Sequence, residues 1–163
     1  MEGSEYLYTV AEVSVAFVGF AAIVIAVRLR SKELDEFERI LVAWLVERAL
    51  AALGFALLPN LLHYFGVPLE TALPTGSGLL ALYFLSVLVR MLRHYRDRNI
   101  PDIVSRRGLL TRLIIVGVFL SSQLLAAFEL LPFGALGWYL LGVTGLLVIA
   151  GGIFATILTS PNT

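Results

Sequence analysis

The sequence contains no cysteine, and charged residues make up only 15% of its 163 residues. Without cysteine there can be no disulfide, thiolate metal site or cysteine nucleophile. Hydrophobic residues make up 59% of the chain, whereas a water-soluble domain is typically about half apolar and about a quarter charged. Because so little polar surface is available, we interpret the chain as an integral membrane protein.

The chain also lacks an excess of charge of either sign, since 12 basic residues balance 12 acidic ones. This balance provides no argument for nucleic acid as a partner and directs attention to how the charges are distributed. The first apolar segment follows acidic residues, Glu2 and Glu5, whereas a cleaved signal peptide begins with basic ones. We expect this segment to be a retained membrane helix.

Long apolar segments alternate with short polar connectors, and about 20 apolar residues suffice for a helix to cross a bilayer. The pattern predicts an all-α integral membrane bundle in one domain, with five transmembrane helices. Their approximate bounds are residues 6–29, 36–63, 74–96, 109–131 and 136–158. The proline- and glycine-rich residues 67–78 have the composition of a loop, and the third helix is expected to begin within them, near Ala72 or Thr75. Thr75 or Ser77 is then expected to cap the third helix.

Basic residues mark one side of the membrane. Apart from Arg48, all of them lie in or beside the connectors that follow the first and third spans. The positive-inside rule therefore predicts an outer N-terminus and an inner C-terminus in a cytoplasmic membrane. Basic side chains at that surface attract anionic phospholipid headgroups. The arginines assigned this role are Arg90, Arg93, Arg96, Arg106 and Arg107.

Two ionisable residues, Glu47 and Arg48, lie inside the second predicted span. Each costs roughly 3 kcal/mol in such a position unless it faces protein, water or headgroups. Glu47 shares a helix face with small residues, which favours a helix contact. Arg48 lies beside Trp44 and is expected to reach back to the inner interface. Glu47 is then either a hydrogen-bonded structural carboxylate or part of a route for ions or protons.

Other polar residues in the predicted spans lie at graded depths. Together with the pair in the second span, the candidate residues are Glu12, Glu129, Ser122, Gln123, Glu47 and Arg48. Proton and cation pathways use such a series. Helix bundles held by interhelical hydrogen bonds use one as well. Both interpretations stay open at this point.

Features of an enzyme are missing from the pattern. His63 and His94 fall on opposite sides of the predicted membrane and could not share a metal ion, and all three aspartates lie in connectors. The G-x-S-x-G motif of serine hydrolases is absent as well. We therefore expect neither an enzyme nor a bound cofactor or metal.

The segments AEVSVAFVGFAAIV (residues 11–24) and ERALAALGFALLPNLL (residues 47–62) resemble parts of an uncharacterised family of small bacterial multi-pass membrane proteins. The resemblance covers about the first 65 residues of the chain. It implies a bacterial cytoplasmic membrane and a compact helical bundle, with a recurring carboxylate at the position of Glu47. Arg48 departs from that pattern, and no activity is implied.

These observations favour a small membrane protein that conducts or transports an ion or proton. Five helices are too few to surround a wide pore, so we expect a homo-oligomer. The alternative is an accessory or scaffold subunit that binds a partner membrane protein or anionic lipid.

Overall fold

The structure is a computed structural model that describes residues 2–31, 36–97, 106–130 and 134–159. Within these ranges the chain forms five α-helices and no strand. The helices are α1 (Glu2–Ser31), α2 (Glu36–Tyr64), α3 (Leu69–Asp97), α4 (Arg106–Ala127) and α5 (Ala135–Thr159). The prediction of an all-helical protein is confirmed.

Four helices are long and apolar enough to cross a membrane, as expected of a membrane protein. The segments that meet this criterion, the candidate spans, are Glu5–Ile23, Arg39–Tyr64, Leu69–Arg93 and Ala135–Ile157. In α4 the described apolar stretch is Leu113–Ala127, and the side chains of residues 106–109 and 112 lie outside the described residues. The fifth crossing and the orientation of the termini therefore stay predictions.

α3 begins at Leu69 rather than near residue 74. The backbone N–H groups of Thr71 and Ala72 both donate to the carbonyl oxygen of Pro68, each at 2.9 Å. That carbonyl is the first acceptor of the helix, so the helix starts directly after Pro68.

The loop expected within residues 67–78 is shorter than their composition indicates, since the chain is helical from Leu69 onward despite Pro74. The Thr75 hydroxyl donates to the carbonyl of Thr71 at 2.7 Å inside this helix, and Ser77 is fully buried. Neither side chain caps the helix. Helix propensity is a weak guide to this segment, because tertiary packing can override it.

The chain divides into two compact units. The first contains Met1–Tyr64 and Val143–Thr163, and the second contains Phe65–Gly142. The first turns of α5 thus belong to the second unit, and the rest of α5 belongs to the first.

In the first unit, α1 packs against α2. The buried side chains of α1 recur every three to seven residues, and they are Leu7, Ala11, Ser14 and Ala21. The buried row of α2 is Leu41, Leu45, Arg48, Ala49, Ala52, Ala56 and Pro59. Most of these side chains are small, which lets neighbouring helix backbones approach closely.

A hydrophobic cluster joins α1, α2 and the second part of α5. Its buried members are Ala21, Leu41, Leu45, Ala150 and Ile157. Beside it, the ring of Phe154 meets those of Phe17 and Phe20 edge-on, with centroid distances of 6.3 and 6.2 Å. Such edge contacts between aromatic rings are a favoured geometry.

In the second unit, α3 packs against α4. The rings of Phe84 and Phe119 stack across this contact, with centroids 5.7 Å apart and planes 12° apart. Leu80 and Tyr139 are also fully buried. The core of this unit is therefore built from α3, α4 and the first turns of α5.

α4 ends at Ala127, before the predicted limit at residue 131. The N–H of Leu130 donates to the Leu125 carbonyl at 3.0 Å, and the N–H of Glu129 donates to the Ala126 carbonyl at 3.1 Å. This pair of bonds is the Schellman motif, in which a left-handed residue stops the helix. Glu129 takes that position with φ of 56°, although glycine usually occupies it.

We expect Glu129→Gly to stabilise the protein by about 1 kcal/mol, because glycine adopts the left-handed conformation without steric cost. Equilibrium unfolding in mixed micelles with increasing SDS measures the change. Glu129→Gln is the matched control, since it removes the charge but keeps the backbone strain, and its stability should equal that of the natural protein. A gain of the same size in the control would mean that charge, and not backbone conformation, is responsible.

Candidate functional site

An ion pair lies inside the candidate span of α2. Nη1 of Arg48 is 3.0 Å from Oε1 of Glu47, and the side chains are 8% and 32% exposed, respectively. Consecutive helix residues do not face each other, so the long arginine side chain must bend to close the pair. The geometry is that of a charge-assisted hydrogen bond.

The burial of the two side chains is the reverse of what the sequence predicts. Glu47 was expected in a helix contact, but its face is open, since Ala43 and Gly54 are exposed and nothing lies within 4 Å of a Cβ placed on Gly54. Arg48, expected to reach the interface, lies in the buried row of α2 beside Ala49. α2 carries small residues on two faces, and only the fold shows which face meets a neighbour.

The other charges of the first unit lie away from this pair along the sequence or on exposed surface. Glu12 of α1 is exposed. Residues 143–159 of α5 contain no charged side chain. Glu36 and Glu38 precede Arg48 by ten or more positions, about 15 Å or more along a helix axis. The Glu47 carboxylate contacts the Arg48 guanidinium directly.

In the second unit, Gln123 links α4 to α5. Its Nε2 donates to the backbone carbonyl of Trp138 at 2.8 Å. A carbonyl can only accept, so this bond fixes the orientation of the amide and leaves Oε1 as an acceptor. Among the described residues, no donor bonds Oε1, and the side chain is fully buried. By contrast, the neighbouring Ser122 hydroxyl donates within its own helix, to the Phe119 carbonyl at 2.8 Å.

Two glycines allow the helices of this unit to meet closely. A Cβ on Gly142 would lie 2.5 Å from Cδ of Gln123 and 2.7 Å from Cδ2 of Leu80. A Cβ on Gly76 would lie 2.8 Å from the ring of Tyr139. These contacts explain why the glycine-containing segment of α3 is helical, since it packs where a larger residue would not fit.

Ser77 lies next to Gly76 in this packed region and is fully buried. Within the described part of the chain its hydroxyl has no hydrogen-bond partner. The sequence pattern marked Ser77 only as a candidate helix cap, and it did not distinguish Gly142 from other small residues. Their importance depends on which helix faces them.

A shallow cleft of about 470 Å³ opens in the second unit and is lined by two acids, Glu70 and Glu129. Its walls are Leu69, Glu70, Leu73, Glu129, Gly134, Ala135 and Leu136. Both glutamates are exposed. Across the described ranges, no three histidine, aspartate or glutamate side chains are grouped so that they could hold a metal ion.

The six candidate residues thus fall into different surroundings. Glu12 is exposed in the first unit, where Glu47 and Arg48 form a pair, and Ser122, Gln123 and Glu129 belong to the second unit. Because Glu47 and Arg48 join opposite charges inside a segment apolar enough to cross a membrane, we take that pair as the candidate site.

The structure describes the side chains of two of the five arginines assigned to lipid headgroups. Arg90 and Arg93 are exposed near the end of α3, as headgroup contact would require. The side chains of Arg96, Arg106 and Arg107 lie outside the described residues, as does the connector between α3 and α4. Their role stays a prediction.

Comparison of the chain with protein-family models, with curated proteins and with solved structures found no match.

Proposed function

We propose that this chain is a small membrane transporter or channel for an ion or proton, in which Glu47 and Arg48 form the site that the ion or proton passes. The supporting observation is the 3.0 Å ion pair inside a membrane-spanning segment, with one partner buried and the other one-third exposed. An ionisable residue in such a segment is by default a functional hypothesis.

The energetics of the pair support a functional role. Removing two charges from water costs several kcal/mol per ion, and the attraction between them often only balances this cost. Two apolar residues of similar size would serve the packing of α2 at least as well. The protein therefore gains little stability from the pair, which favours a functional reason for keeping it.

The surfaces of the spans favour an oligomer. Only 22% of the residues in the candidate span of α1 are buried within the protein, and only 33% of those in the candidate span of α2. Large apolar side chains such as Phe20, Ile23 and Leu50 are exposed there. Lipid can cover such surfaces, but a water-lined route next to Glu47 requires more helices than one chain provides. We therefore propose a homo-oligomer of chains that cross the cytoplasmic membrane five times, with the N-terminus outside.

The test is ion flux in liposomes that contain the purified protein and a pH-sensitive dye. The natural protein should carry protons or small ions faster than empty vesicles. Glu47→Gln should lower the rate by about tenfold or more, equivalent to a barrier higher by about 1.4 kcal/mol, because the amide cannot ionise.

Glu5→Gln is the matched control. It removes an exposed acid at the start of the α1 span and should transport at the natural rate. Flux equal to that of empty vesicles, from protein that remains folded and monodisperse, would contradict the proposal.

A scaffold or accessory subunit is the second candidate. The observations that favour it are the extensive exposed apolar surface of the spans and the exposed Arg90 and Arg93 at the end of α3. Basic residues at a membrane surface bind anionic headgroups with about 1 kcal/mol each. Absence of flux together with copurification of one stoichiometric membrane protein would support this function instead.

A further inference from the structure

We infer that the transported species is a small monovalent oxyanion that crosses together with a proton, with Arg48 binding the anion and Glu47 carrying the proton. This inference rests on the proposed transport function and assigns its substrate class. It follows from which partner of the ion pair is buried and which is accessible.

The permanent charge of the site is positive and buried. Arg48 is 8% exposed, whereas Glu47 is 32% exposed. A guanidinium stays charged throughout the physiological pH range, whereas a carboxylate can accept a proton. The more accessible member of the pair is thus the one that can change its charge.

Among the described side chains of the first unit, none of the buried ones is acidic. In the first unit, the buried row of α1 is uncharged, residues 143–159 of α5 contain no charged residue, and Glu12 is exposed. On α2 the nearest other acid in the sequence is Glu38, ten positions away. A permeating cation would meet the like charge of Arg48, whereas an anion would meet an opposite charge.

A transport cycle follows from these charges. A proton from one side of the membrane binds Oε1 of Glu47 and neutralises the carboxylate, so the ion pair with Nη1 of Arg48 is lost. An anion from the same side then accepts the guanidinium N–H bonds in place of the carboxylate. The site carries zero net charge before this step and zero after it. Release to the other side reverses both events, so one proton and one anion cross together and no net charge moves.

The class of anion follows from the donor. A guanidinium presents paired N–H groups that match two oxygens of a planar anion, such as a short carboxylate or nitrate. In the structure, Oε1 of the Glu47 carboxylate lies 3.0 Å from Nη1, one of these nitrogens. A planar monovalent oxyanion therefore fits the site better than a spherical halide.

The experiment uses nitrate as the probe, because its acid is fully ionised and does not leak across lipid in neutral form. Liposomes containing the full-length protein and a pH-sensitive dye receive an inward nitrate gradient at a clamped membrane potential. Nitrate and protons should enter at a ratio near one, and the rate should change less than about twofold when the potential is varied, since no net charge crosses. A potassium gradient with an impermeant anion should produce no protein-dependent flux.

Variants separate the two roles. Glu47→Gln mimics the protonated acid permanently, so proton-coupled nitrate uptake should be lost while exchange of labelled nitrate against nitrate is retained. Arg48→Lys keeps the charge but loses the paired N–H groups, so it should lower the rate of nitrate uptake more than the rate of chloride uptake. Glu5→Gln should behave as the natural protein.

The outcomes are distinguishable. Proton or potassium flux that does not require nitrate overturns the inference but leaves the proposed transport function intact. Absence of flux for every ion overturns the proposed function itself. If Glu47→Gln does not fold, the natural protein still tests the inference through its ratio of nitrate to protons and through the dependence of its rate on membrane potential.

Discussion

Replacing Gly142 with alanine should destabilise the protein by about 3 kcal/mol. The added Cβ would lie 2.5 Å from the Gln123 amide and 2.7 Å from Leu80. The amide cannot move aside without cost, because it is fully buried and bonded to the Trp138 carbonyl at 2.8 Å. Overpacking and the loss of a buried hydrogen bond therefore add together.

SDS-induced unfolding of the purified protein measures this loss. Gly117→Ala is the matched control in α4, since nothing lies within 4 Å of its Cβ position, and alanine in an open helical position should be neutral or stabilising by up to about 1 kcal/mol. Adding Gln123→Ala to Gly142→Ala should recover part of the loss, because the side chain that collides is gone. If Gly142→Ala is as stable as Gly117→Ala, the contact between α3, α4 and α5 is looser than the 2.5 and 2.7 Å distances indicate.

Replacing Glu47 with leucine should cost about 3 kcal/mol, because it leaves the buried Arg48 without the carboxylate at 3.0 Å. Arg48→Met should cost less, since the remaining Glu47 is one-third exposed and can be solvated or protonated. The double replacement should be close to the natural protein in stability, because two apolar residues replace a balanced pair.

The same unfolding measurement applies to all three variants, with Glu12→Leu as control. Glu12 is exposed on α1, so its replacement should change stability by less than about 0.5 kcal/mol. Equal losses for Glu47→Leu and Arg48→Met would argue against the assignment of Arg48 as the buried charge. A double replacement as unstable as Glu47→Leu would show that the pair itself stabilises the fold.

Much of the fold follows from composition and hydrophobic length. The all-helical class and the approximate position of each helix require only long apolar runs between polar connectors. α3 is the exception, because Pro74, Gly76 and Gly78 resemble a loop by propensity. The helix forms there because Gly76 lies against Tyr139, and this contact involves a residue more than sixty positions away.

The candidate site was predictable in its residues but not in its arrangement. An acid and a base next to each other in an apolar segment are evident from the sequence. Which of them is buried depends on which face of α2 packs, and the sequence favoured the Glu47 face, whereas the structure buries Arg48. The hydrogen bond between Gln123 and the Trp138 carbonyl could not be predicted either, because no sequence pattern marks a backbone carbonyl as an acceptor.

The turn at Glu129 has a consequence for how α4 could lie in a bilayer. The helix Arg106–Ala127 has 22 residues and is about 33 Å long at 1.5 Å per residue, whereas the hydrocarbon layer is about 30 Å thick. If α4 crosses the bilayer, it has little length to spare and can tilt only modestly. The left-handed residue that stops the helix then sets the tilt of α4 as well as its end.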